Sequence, residues 1–245
     1  MVFLIELLNI DLFNYCMSQP KVNNFQGIVF RGIVLPEEDL KAFKNLLKLP
    51  ISDRYIAVPL GILSSSENKT IAVEFIKGHL KPDNSVKPLI CKIHVIQLKP
   101  SLLEKYKKKF PTSVVSTICA VDIKDISFYK RESEILLRGP FFQVLRVYFS
   151  KEKYNLKFYP EILEMVMVNA NRDHISTMQL GDQSDIARRI FGIMVAVTRI
   201  EFALQFCKEN KMKVDERAYS ALLQEKENSM ICYVDIILHN LALYV

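Results

Sequence analysis

The chain has 245 residues and a mass of 28.4 kDa; half of its residues are apolar and its mean hydropathy is +0.12. That is enough apolar material for a sizeable core, and it excludes a disordered tail or a low-complexity scaffold. The net charge is +6 at pH 7. The residues before Asn171 hold a net +7 and the remainder a net −1, a balance that suits an anionic ligand in the first two-thirds but is also that of an ordinary surface.

In chain order, residues 1–16 predict a helix. They are apolar, but Glu6 and Asp11 interrupt them and no positive stretch precedes them, so an amphipathic helix fits better than a signal peptide. Residues 27–34 are rich in β-branched side chains and predict a strand. Pro36, with Glu37, Glu38 and Asp39 behind it, opens a helix to residue 47, since a proline and acids suit a first turn. Residues 55–63 predict a second strand that ends in three serines, and 70–78 a short helix. Residues 89–98 predict a strand with Cys91, Ile93 and Val95 on one face. A charged segment, 99–110, stops before Pro111. Strands at 114–123, 135–137, 142–149 and 162–168 complete a β-rich region.

The character changes after Asn169. Asp182 is placed to cap a helix over 184–209, in which Ile190, Ile193, Met194 and Val197 follow helical spacing. Asp215 is placed to cap a second helix, and 231–244 predicts a third. Strands first and helices later argue an α+β fold rather than a parallel βαβ sheet. The expected division is 1–169 and a helical extension, 170–245.

Five cysteines (Cys16, Cys91, Cys119, Cys207, Cys232) form no CxxC and are odd in number, which argues for a reduced, cytoplasmic compartment. His79, His94, His174 and His239 are isolated, so no metal site is expected. The longest apolar stretch, 190–206, contains Arg199 and Glu201, so no membrane span is expected. Asn68-Lys69-Thr70 is a glycosylation sequon that matters only in a secreted chain. Lys105, Lys107, Lys108 and Lys109 flank Tyr106 beside Phe110. A solvated helix face accounts for them, and nucleic acid is not expected as a partner.

Three short features stand in order. Phe30-Arg31-Gly32 puts an arginine in the middle of an apolar strand, where it must point outward or meet an anion. Leu63-Ser64-Ser65-Ser66 ends a strand ahead of a helix that contains Phe75; serines there also cap or turn. Glu132-Ser133-Glu134 follows Ile126-Ser127-Phe128-Tyr129. On extended backbone an i, i+2 pair puts both carboxylates on one face, roughly 7 Å apart.

Together these resemble the arginine–serine–glutamate signature of the mono-ADP-ribosyltransferase family, in its arginine-specific branch. Phe30-Arg31-Gly32 is similar to the aromatic-Arg-Gly strand and Ser64-Ser65-Ser66 to the Ser-Thr-Ser strand end. Glu132 and Glu134 match Glu-x-Glu, with Ile126-Ser127 before it and Ile135-Leu136-Leu137, Pro140 and Phe142-Gln143-Val144 after it. The resemblance spans 27–168. It implies a β-sandwich core of two small, mostly antiparallel sheets with flanking helices. It also implies NAD as substrate, no metal, and a protein bearing an exposed arginine as acceptor.

By the same resemblance Glu134 stabilises the ribose cation as nicotinamide leaves and binds the cofactor through a ribose hydroxyl, and Ser64 orients both Glu134 and the nicotinamide ribose by hydrogen bonds. Arg31 holds the anionic cofactor through its planar fork. Gly32 lets backbone approach the nicotinamide amide. Phe75 stacks on nicotinamide, unless it is simply a core residue of its helix. Glu132 orients and deprotonates the acceptor guanidinium. Two further readings stay open: an NAD glycohydrolase that uses the same site, and a catalytically degenerate binding module.

Overall fold

Period-two burial is clear in the second half of the strand 86–96, and the helices 37–46, 69–79 and 100–109 each bury one side. The first helix, by contrast, is apolar on every side, not amphipathic as expected, and leaves Leu7, Leu8 and Ile10 exposed. The computed structural model describes residues 2–18, 25–50, 53–57, 62–81, 85–138, 141–154, 156, 159–172, 184–212, 223–225 and 228. The capping roles of Asp182 and Asp215, the helix over 231–244 and the turn at Pro140 fall outside these residues.

The chain divides into two compact units. The first comprises residues 1–97 and 117–169. Its elements are α1 (Val2–Ser18), β1 (Gly27–Pro36), α2 (Glu37–Leu46), β2 (Tyr55–Ala57), β3 (Leu63–Ser66), α3 (Lys69–His79) and β4 (Val86–Ile96). The second comprises residues 98–116 and 170–245, and it holds α4 (Pro100–Lys109) and β5 (Val115–Ser116). The chain then returns to the first unit for β6 (Ala120–Asp122), a 3-10 turn (Lys130–Glu132), β7 (Glu134–Leu137), β8 (Phe141–Phe149) and β9 (Glu161–Val168). It ends in the second unit with β10 (Asn171–Arg172) and α5 (Ser184–Glu209).

The first unit is built on an eight-stranded sheet of order β2-β8-β9-β4-β1-β3-β7-β6. Every neighbouring pair is antiparallel except β4 with β9. The α+β expectation therefore holds. The expected pair of sheets is instead one hydrogen-bonded ladder, thin at one place. β1 pairs with β4 from Gly27↔Val95 to Pro36↔Val86, but among the described residues it pairs with β3 only through Phe30↔Ser66.

The main core cluster takes Val29, Cys91, Ile93 and Val95 from one side of this seam and Ile135, Leu137 and Ala120 from the other. Cys91, Ile93 and Val95 do share a face, as their alternation predicts. β9 is buried along its whole length, as befits a strand paired on both edges. Within it Glu164 is fully buried and meets Lys92 at 2.6 Å, His94 at 2.8 Å and Arg146 at 2.7 Å. Burial opposes its ionisation, but hydrogen bonds from His94, Lys92 and Arg146 outweigh burial and hold its pKa down to about 2.

Two expected strands are split. The segment 55–63 contributes β2 at one end of the sheet and the start of β3 near the other. The segment 114–123 contributes β5, which pairs with β10, and β6, which pairs with β7. A turn at 118–119 separates them.

α1 rests Leu12 and Cys16 on Ile118, Val121 and Ile123, with Leu136 alongside; it thus backs β6 and β7. α3 is capped by Asn68, whose side chain accepts from the Thr70 N–H at 2.9 Å, so the sequon asparagine is an N-cap. Val73 and Ile76 of α3 pack against Ile90 and Ile162, each burial contributing roughly 1.5–3 kcal/mol.

In the second unit, Pro100 occupies the first turn of α4, where its missing N–H costs nothing. Tyr106 meets Phe191 of α5 edge-on at 6.0 Å, and Lys99 pairs with Glu201 at 2.6 Å. α5 has the bounds its apolar spacing predicts, with Ile190, Met194 and Val197 buried. By length and composition alone Asp185–Glu209 could cross a membrane, a test that the buried core helix of a soluble protein also meets. Among the described residues no cluster of histidine, cysteine, aspartate or glutamate could hold a metal ion.

Candidate active site

The three sequence features lie on three adjacent strands. Arg31 is on β1, Ser64 on β3 and Glu134 on β7, and β3 lies between the other two. The register sets Ser66 against both Phe30 and Glu134, and Ser64 against Leu136. In an antiparallel pair, residues two apart on facing strands share a face within reach of their side chains. Accordingly the Ser64 hydroxyl donates to Glu134 Oε1 at 2.7 Å.

The three serines do three different things. Ser64 is exposed and holds the glutamate; Ser65 and Ser66 are buried. Ser65 donates to the Ile135 carbonyl at 2.7 Å, stitching β3 to β7. The Ser66 hydroxyl donates to the Glu132 carbonyl and accepts from the Asn68 N–H at 2.9 Å. It therefore fixes the backbone of the other glutamate.

Arg31 is half-buried, and its guanidinium donates to the Ser64 carbonyl at 2.6 Å. A guanidinium has five N–H donors, so one such bond leaves donors for an anionic group. Opposite it on β4 lies Cys91, its partner in the β1–β4 register. Burial pushes the Cys91 thiol up to about 12 despite the opposing charge of Arg31, so this cysteine is an inert packing residue.

Glu132 and Glu134 are not on continuous extended backbone, contrary to expectation. Glu132 ends the 3-10 turn, Ser133 is left-handed at φ 45° and ψ 56°, and Glu134 begins β7. A non-glycine residue in this region is costly and is held only where its surroundings over-determine it. Here the Glu67 N–H donates to the Ser133 carbonyl at 3.3 Å while Ser66 holds Glu132. Both glutamates are half-buried. The Glu132 carboxylate has no hydrogen-bond or ion-pair partner among the described residues.

Gly32 meets α3. A Cβ built there would stand 1.9 Å from the Ala72 carbonyl oxygen, so the missing side chain is what lets α3 lie on β1. Phe75 is not a core residue: it is 46% exposed and stacks on His79 with ring centroids 4.1 Å apart.

Ser127 was visible in the sequence only as part of a flank. It is buried, and its hydroxyl donates to Glu134 Oε2 at 2.7 Å. Both oxygens of Glu134 thus accept from serine hydroxyls, one from β3 and one from the turn before the 3-10 segment. The sequence held no signal for this contact, because the seven residues from Ser127 to Glu134 pass through a turn, a 3-10 segment and the left-handed Ser133 and follow no regular period.

No family model and no curated protein matches the chain. Among solved structures it is similar to Vis toxin, an ADP-ribosyltransferase from Vibrio splendidus, at 12% identity and a TM-score of 0.36, over 58% of this chain and 48% of that one. The structure of ADP-ribosyltransferase Vis in complex with agmatine gives 12% identity and a TM-score of 0.39, over 63% and 55%. The chain thus spans about half the length of the structures it resembles. The overlap is partial and the identity low, so the likeness assigns no activity to this chain.

Proposed function

We propose that the chain is an NAD-dependent mono-ADP-ribosyltransferase that transfers ADP-ribose to arginine side chains of proteins, and that residues 1–169 carry the catalytic machinery. One observation carries this reading. Residues far apart in sequence converge on adjacent strands, with the Glu134 carboxylate clamped by hydroxyls and Arg31 bonded to the same strand end.

The chemistry follows from the residue types. Cleaving the bond between nicotinamide and ribose builds positive charge on the ribose. A carboxylate already fixed beside it stabilises the transition state more than the ground state. Glu134 fills that role because neither of its oxygens has to reorganise. The remaining donors of Arg31 suit the pyrophosphate, since a planar fork matches phosphate oxygens. Phe75 offers an exposed ring face for nicotinamide. The acceptor guanidinium is protonated near neutrality and becomes a nucleophile only when a base orients it and removes a proton. Glu132, two residues from Glu134 and without a side-chain partner among the described residues, is the candidate base.

The test is incubation of the chain with labelled NAD and agmatine or polyarginine, beside Glu134→Gln and Glu132→Gln. Transfer by the parent, loss of both cleavage and transfer in Glu134→Gln, and cleavage without transfer in Glu132→Gln support these roles. A parent that cleaves NAD but labels no acceptor is a glycohydrolase. A parent that neither binds nor cleaves NAD is a degenerate module.

A further inference from the structure

We infer that Ser127 is a positioning residue for Glu134 and that it makes the orientation of this carboxylate depend on the turn spanning residues 123–129. The inference rests on the transferase reading above and adds to it a residue that acts through the acid without touching substrate.

The donor assignment is unambiguous. A serine hydroxyl has one hydrogen. Ser127 Oγ lies 2.7 Å from Glu134 Oε2 and accepts from the Tyr129 N–H at 3.2 Å. The carboxylate can only accept, so the serine hydrogen points at it. The serine is itself immobilised: its N–H donates to the Ile123 carbonyl at 2.7 Å, and the Ile126 N–H donates to the same carbonyl at 3.0 Å. The Ile123 N–H in turn donates to the Glu134 carbonyl at 3.1 Å. The turn is therefore stapled to Glu134 twice, once through backbone and once through the carboxylate.

Ser64 alone does not fix the acid. One hydrogen bond to Oε1 leaves the carboxylate free to rotate about it; a second, to the other oxygen, fixes the plane. The two donors belong to different parts of the chain, β3 and the turn, so the plane is set only when both are in place. Removing Ser127 takes away none of the donors proposed for NAD and loosens the acid. A misplacement of about an ångström at a reacting centre costs on the order of a hundred-fold in rate, and partial loosening should cost about ten-fold.

The experiment measures nicotinamide release from NAD by the full chain and by Ser127→Ala, Ser127→Thr, Ser64→Ala and the double alanine variant. We expect Ser127→Ala to lower kcat about ten-fold with KM for NAD within two-fold of the parent. Ser127→Thr, which keeps the hydroxyl, should restore most of kcat. The double variant should fall by less than the product of the single effects, because both serines act on one carboxylate. Parental kcat in Ser127→Ala, or a rise in KM at constant kcat, overturns the inference while leaving the transferase reading in place. A threonine variant as slow as the alanine variant, with an unchanged melting temperature, also overturns it. A parent that releases no nicotinamide overturns the reading beneath it, and the inference falls with it.

Discussion

Gly32→Ala tests whether the glycine of the Phe-Arg-Gly strand serves the fold. The added methyl would lie 1.9 Å from the Ala72 carbonyl oxygen, 2.8 Å from its carbon and 3.0 Å from Ile76 Cγ1. The two nearest atoms are helix backbone and cannot rotate away, so α3 must retreat by more than an ångström or β1 must buckle. Overpacking costs about 1–3 kcal/mol when side chains can adjust. With backbone as the obstacle we place this variant at about 3 kcal/mol, the upper end of that range. For a domain of this size each kcal/mol moves Tm by about 2–4 °C, so the expected fall is about 6–12 °C. Thermal melts of the parent, Gly32→Ala, Ala72→Gly and the double variant measure it. Trimming the Ala72 side chain gives no relief, because the atom met is its carbonyl oxygen. The double variant should therefore melt no higher than Gly32→Ala. A Gly32→Ala chain that melts with the parent, or a double variant that recovers the parental Tm, would refute the clash.

Glu164 makes stability sensitive to acid. Its pKa falls from 4.5 to about 2 on folding, so its contribution of about 3 kcal/mol is fully present above the ordinary glutamate range. It is lost as pH drops from about 4.5 towards 2. Urea midpoints measured across that range should decline, and a flat profile would count against the ionised cluster. Glu164→Gln at pH 7 removes the buried carboxylate that Lys92 and Arg146 share and should cost about 3–5 kcal/mol by urea unfolding. Asn68→Ala removes the α3 cap and should cost about 1 kcal/mol; Asn68→Asp should recover most of that in the same assay. Ser65→Ala leaves the Glu134 clamp intact, so it should lower Tm while keeping nicotinamide release, whereas Ser64→Ala should reverse that pattern.

The sheet was legible where one residue type dominated a run. β4 announces itself through Cys91, Ile93 and Val95, and α5 through Ile190, Met194 and Val197, because both bury one stripe of a regular period. The split of 55–63 into β2 and β3 was not legible, since both pieces carry the same residue types and only their distant partners separate them. The candidate site was legible as residue types in order but not as backbone. The left-handed Ser133 is held by Glu67 and Ser66, far off in the chain, and local propensity contains no trace of them. Gly32 was legible as a residue that needs space, but the sequence could not say that the space belongs to Ala72.

The thin seam between β1 and β3 bears on how variants of this protein are to be interpreted. Strands that together carry the candidate site meet there through one backbone pair, Phe30↔Ser66, and through the Arg31 guanidinium on the Ser64 carbonyl. Arg31 is thus a rivet as well as a candidate ligand for an anion, and its removal slackens the join on which the Ser64–Glu134 contact depends. Lost turnover in an Arg31 variant is consequently a compound signal. Amide exchange at Ser66 separates its parts: exchange that quickens reports the opened join, and exchange that holds steady reports the missing charge.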